Sequence, residues 1–266
     1  MCIAVFMWQA HPKYPFILLL NRDEFHSRPT DPLAWWPGET ILAGRDALGG
    51  GTWLGSTRNG RVAFLTNFRE LPNQNLPSPN SRGHLPLRFL QGNQSPEEFA
   101  EQVLKEAHQY NGFNLILADM STSSMVYVFN RPKPDLLSVA PGVHVLTNSA
   151  LDATWPKAER LRHSFKELID QYGESEFPIK EMVEKLMTNT IKDEEYMLPG
   201  IYPPERELPV SSVFVDVEFP LLGRYGTRSS SALLVKSNKE ATFYEKHLDQ
   251  EKWKEKMVTY QIIEAE

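Results

Sequence analysis

The chain has 266 residues but only one cysteine, and no apolar run of membrane-spanning length. A single cysteine cannot close an internal disulfide, and neither CxxC nor CxxCH occurs, so a reduced, cytoplasmic setting is expected. The apolar stretches at residues 2–8 and 16–20 are too short to cross a bilayer, and the first lacks the basic leader of a secretory signal, so no transmembrane segment is expected. A formal net charge of -6, with no Lys/Arg patch interleaved with aromatics, argues against a surface that tracks phosphates. No nucleic acid partner is expected.

The usual catalytic signatures are absent too. His11, His26, His84, His108, His144, His163 and His247 show no HExxH or related ligand spacing, so neither metal nor cofactor is expected. GxSxG, Walker and GxGxxG loops are missing.

What is present begins with the cysteine. Cys2 stands directly behind the initiator methionine and is small, so ordinary methionine removal would leave a thiol and a free α-amine on one residue. That amine, with a pKa of roughly 7.7–8.0, can accept the thiol proton, so nucleophile and base arrive together. Asparagine side chains suit the oxyanion that would form, because they donate without titrating.

Hydrophobic patterning predicts strands at residues 2–8 and 16–21, joined by HPKYP, whose prolines interrupt regular structure. TWLGST and RVAFLTNF, separated by Arg58-Asn59-Gly60, predict a hairpin whose second strand ends at Asn67. Residues 70–82, rich in Pro, Asn and Ser, predict a long surface loop. Ser95-Pro96-Glu97-Glu98 predicts a capped helix start. Further strands are expected at 114–119, 125–130, 143–147, 211–217, 230–235 and 241–245, with helices at 156–172 and about 178–188. Residues 253–263 fit neither period. Strands, then helices, then strands with hairpin signals predict a largely antiparallel α+β protein, read as one domain over residues 1–266.

The runs NRDEF, GGGTWLGSTRNGRVAFLTNFRE, HVLTNSALDATWPK and YGTRSSSALLV resemble the NRDE family, whose animal members are named for transport and Golgi organisation. More distantly, the family is similar to N-terminal nucleophile hydrolases of the choloylglycine hydrolase and penicillin V acylase type. That resemblance implies a four-layer αββα fold, two stacked, mainly antiparallel sheets flanked by helices. It also implies Cys2 as nucleophile, with Asn67 and Asn148 as oxyanion-binding side chains. The charged pair implied by the hydrolases is three positions apart, whereas Arg22 and Asp23 are adjacent here. If this segment is extended, Arg22 with Glu24, or Asn21 with Asp23, faces Cys2; a turn would relax that restriction. Arg228, in YGTRSSS, is a further candidate outside the hydrolase pattern.

The expected function is therefore that of an N-terminal cysteine amidohydrolase or acyltransferase, acting on a small-molecule amide or an acyl thioester. The alternative is a non-enzymatic carrier or trafficking factor for haem, a lipid or acyl-CoA, with Golgi or mitochondrial association added to the cytoplasmic setting. Structural roles compete for the same residues: Cys2 as a small core residue, Asn67 and Asn148 as turn residues, Arg228 as an ion-pair partner.

Overall fold

The computed structural model describes residues 2–38 and 40–263. In chain order, the strands and helices are β1 Ile3–Trp8, β2 Phe16–Phe25, β3 Thr30–Trp35, β4 Ile41–Asp46, β5 Leu54–Thr57, β6 Arg61–Asn67, α1 His84–Gln91, α2 Pro96–Glu106, β7 Phe113–Asp119, β8 Ser124–Phe129, β9 Asp135–Ser138 and β10 Gly142–Leu146. They continue with α3 Pro156–Tyr172, α4 Ile179–Met187, α5 Pro204–Glu207, β11 Asp216–Phe219, β12 Gly223–Val235, β13 Glu240–Asp249 and β14 Lys252–Gln261. No helix among the described residues is long and apolar enough to cross a membrane.

The chain divides into two compact units, each drawn from separated stretches of sequence. The first takes the residues up to Ser27, then Pro141–Thr147 and Leu151–Thr259; the second takes Arg28–Ala140, Asn148–Ala150 and the segment from Tyr260.

In the first unit a seven-stranded sheet has the order β10-β1-β2-β12-β13-β14, with β11 paired to β12. β1 and the apolar half of β2 are buried throughout, because IAVFMW and FILLL carry apolar side chains on both faces. Ile3, Val5, Ile17, Leu19, Ala232 and Leu234 form one core cluster with Ala158, Leu161, Phe165 and Leu168 of α3 and Met182, Val183 and Leu186 of α4. α3 ends as expected at Gly173, whose φ of 51° a residue with a side chain would resist.

The second unit holds another seven-stranded sheet, β3 through β9 in sequence order. Its strand pairs are antiparallel. Leu85, Phe89 and Leu90 of α1 and Phe99, Ala100 and Val103 of α2 pack with Ala63, Leu65, Leu115, Leu117, Val126 and Val128. The predicted capping box is formed: the Glu98 N–H donates to Ser95 Oγ at 3.1 Å and the Ser95 N–H to Glu98 Oε2 at 2.9 Å. The β5–β6 hairpin also forms, but only Gly60 takes positive φ (86°), since a three-residue loop needs the left-handed region at its last position.

The antiparallel α+β class thus holds, with differences in extent. β2 does not stop at Asn21 but runs through Phe25, β12 starts at Gly223 rather than at residue 230, and the ambiguous tail is β14. Residues 211–215 are not strand; extended pairing in that region begins only at Asp216.

Candidate active site

Cys2 lies just before β1 and is 8% exposed. Ile3 pairs with Asn21, so one step further along the antiparallel pair Cys2 falls level with Arg22. Because β2 remains extended there, no turn brings Arg22 and Asp23 to a common face. Arg22 and Glu24 take one face, Asn21 and Asp23 the other.

The Asn21–Asp23 face is tied down by polar contacts. Asn21 Nδ2 donates to the carbonyls of Met187 at 2.8 Å and Val213 at 3.0 Å, which fixes the end of α4 and the chain before β11. The Thr227 hydroxyl donates to Asp23 Oδ1 at 2.7 Å. Lys157, in the first turn of α3, is 2% exposed and donates to the Val210 carbonyl at 3.0 Å. Burial pushes the Asp23 carboxyl up from the usual carboxylate range, against the Lys157 ammonium, the Thr227 hydrogen bond and Arg22, which pull it down.

Arg22 and Asp23 both act on the Cys2 thiol. Burial pushes it up and the Asp23 carboxylate adds to that; a hydrogen bond from the Asp23 backbone N–H and the Arg22 guanidinium act in the opposite direction. With Met1 in place the net direction is upward, which favours the neutral thiol.

Across β2, Asp23 stands opposite Thr227 and Arg22 opposite Ser229, so the register shifts at Arg228. Arg228 Nη1 donates to the Phe25 carbonyl at 3.0 Å. Burial and the neighbouring Arg22 pull Arg228 down, with Glu24 and Glu251 opposing. Cys2, Arg22, Asp23, Glu24 and Arg228 are thereby gathered where the start of β1 and the end of β2 meet the bulged stretch of β12.

Asn67 and Asn148 belong to the second unit. Asn67 ends β6 and is exposed. Asn148 is 1% exposed, and its Nδ2 donates to the Asn67 carbonyl at 2.8 Å. The Arg69 N–H donates to the Asn148 carbonyl at 2.7 Å, and Asn114 Nδ2 to the Ser149 carbonyl at 2.9 Å. The two asparagines are brought together, by a bond from the side chain of one to the backbone of the other.

Lys157, Thr227 and Ser229 were not among the residues expected at the site. Lys157 carried a readable signal. It lies four residues before Leu161 and eight before Phe165, on the apolar stripe of α3, where a solvated lysine has no place.

Fold and site define an α+β protein of two antiparallel sheets, with a buried cysteine near its start beside an arginine and an aspartate. The chain belongs to the Transport and Golgi organisation 2 family, whose model matches residues 1–250. It is 33% identical over 271 residues to the Transport and Golgi organization 2 homolog of Mus musculus, covering 95% of this chain and 96% of that protein. The Homo sapiens homolog is 33% identical over 263 residues, 93% of each chain. Among solved structures, a Caenorhabditis elegans ortholog of N-acylethanolamine-hydrolyzing acid amidase has a TM-score of 0.42 and 13% identity, covering 88% of this chain and 92% of that one.

Proposed function

We propose that the protein is an N-terminal cysteine amidohydrolase or acyltransferase acting on an amide or an acyl thioester. The observation that carries this reading is the register that sets Cys2 level with Arg22 and next to Asp23 along β2. After methionine removal, the Cys2 sulfur attacks the substrate carbonyl carbon and its proton passes to the α-amine. The C–N or C–S bond breaks and the departing amine or thiol takes that proton. Water, or an acceptor amine or alcohol, then releases the acyl group from the sulfur. Asp23, held by Thr227, orients the amine in this scheme.

For Asn67 and Asn148 the resemblance implies oxyanion donors, and their bond to each other offers a structural role instead. Asn67→Ala distinguishes the two, since loss of turnover with an unchanged melt supports the donor role.

The test combines the intact mass of the purified chain with turnover of a panel of N-acyl amides and acyl thioesters. Loss of Met1, with Cys2→Ser lowering kcat/KM by about 10³-fold or more, supports the proposal. Retention of Met1 in an active protein, or undiminished turnover by Cys2→Ala, sinks it.

A carrier for haem, a lipid or acyl-CoA is the second reading, favoured by a thiol that burial keeps neutral and consistent with relatives named for transport. Ligand binding that Cys2→Ala leaves intact, with no turnover by the parent chain, would select it.

A further inference from the structure

The register of β12 on β2 shifts between Thr227, opposite Asp23, and Ser229, opposite Arg22. Strict alternation would put Thr227 and Ser229 on one face and Arg228 on the other. Because Ser229 instead stands opposite Arg22, the extra residue leaves Arg228 and Ser229 side by side on the face that carries Arg22 and Glu24. That is also the face on which Cys2 falls level with Arg22.

Ser229 is 3% exposed, and its Oγ has no hydrogen-bond partner among the described residues. A buried hydroxyl without a partner is retained at a cost to stability. Two guanidiniums near enough to repel, Arg22 and Arg228, share its face, with Glu24 and Glu251 offsetting part of the repulsion. Planar guanidinium donors match the two oxygens of a carboxylate, and a serine hydroxyl adds a single donor beside them.

We infer that Arg22, Arg228 and Ser229 form a carboxylate subsite beside Cys2, so that the acyl compound taken by this protein carries a carboxylate a few bonds from the carbonyl. The inference rests on Cys2 as the reacting residue. Ser229 is its specificity-determining member, since the hydroxyl answers a group that is absent until the ligand arrives.

The experiment titrates full-length Cys2→Ala protein with N-octanoylglycine and with its uncharged counterpart, N-octanoylglycinamide, by calorimetry. The acid is expected to bind at least about 10-fold tighter than the amide. Adding Arg228→Gln removes that preference. Adding Ser229→Ala weakens the acid by about 3- to 10-fold, leaves the amide unchanged and does not lower the melting temperature, because no protein hydrogen bond is lost. Equal binding of the two compounds, binding of neither at about 10 mM, or a Ser229→Ala protein with a lower melting temperature and an undiminished preference overturns the subsite. Turnover by the parent chain is scored separately. Acid that binds with the stated preference but is never consumed removes the nucleophile and leaves the subsite standing.

Discussion

At the scale of single residues, the environment of Cys2 is a contest between burial and its neighbours. Desolvation disfavours the thiolate, so in the chain that retains Met1 alkylation by iodoacetamide is expected to rise with pH through an inflection above the ordinary thiol value of 9.0. The neighbours fix the direction of two variants. Arg22→Gln removes a positive charge that favours the thiolate and moves the inflection further up; Asp23→Asn removes a negative charge that opposes it and moves the inflection down. Inflections that move the other way, or coincide in all three proteins, would show that neither side chain acts on the sulfur. The adjacency of Arg22 and Asp23 was legible in the sequence, and so was the restriction that an extended segment sets them on opposite faces. What could not be read was that Cys2 would stand level with Arg22, since that depends on where β1 begins relative to β2.

At the scale of elements, α3 is fastened to β10 by one carboxylate. Asp152 Oδ2 pairs with His144 Nδ1 at 2.7 Å, while Oδ1 accepts from the Val145 N–H at 2.9 Å and from Arg162 Nη2 at 2.9 Å. Burial would push this carboxyl up, but the hydrogen bonds from His144, Val145 and Arg162 outweigh it and hold it below its ordinary 3.8. A depressed carboxyl stabilises the fold above its unfolded value, and that contribution is lost as pH falls through the lower, folded value. Asp152→Ala is expected to cost about 1–2 kcal/mol at pH 7, the lower part of the range for charged hydrogen bonds because this side chain is 35% exposed. Urea unfolding from pH 7 down to pH 2 checks it, with a shallower acid loss expected in the variant than in the parent; parallel curves would contradict the assignment. The same scale explains which elements the sequence hid. β3 contains Pro32, which reads as a break but is tolerated on the edge strand of its sheet, with a register shift between Asp31 and Ala34. Pro86 similarly masks α1, yet it stands in the first turn, where its missing N–H has no intrahelical partner to lose. β14 is mostly exposed and rich in lysine, the composition of a protected edge, and so shows no alternation to read. The capping box at Ser95 and the Asn59-Gly60 hairpin were legible because neighbouring residues alone decide them.

At the scale of the molecule, the first unit joins sequence that is far apart. β2 has β1 on one side and β12 on the other, with Phe16 opposite Val235 and Asn21 opposite Ser230. The residues gathered near Cys2 therefore exist together only after more than two hundred residues of chain have returned to the sheet. Hydrophobic patterning marked these strands but carried no information on which would pair, and the bulge at Arg228 is a property of that pairing. A chain ending after Leu222 would keep β1 and β2 but lose the buried side chains of Leu233, Leu234, Val235, Phe243 and Tyr244. At about 1.5–3 kcal/mol for each buried side chain, that loss is comparable with the entire net stability of a domain, about 5–15 kcal/mol. The truncated chain is accordingly expected to show no cooperative thermal transition for the first unit and no protection of Cys2 from alkylation. Leu234→Ala in the complete chain is the matched control. It removes one side chain from the cluster shared with α3 and α4, and should cost about 2–4 kcal/mol while the transition remains cooperative and Cys2 remains protected. If the truncated chain melted cooperatively with its thiol still shielded, β12 would not be what assembles the candidate site.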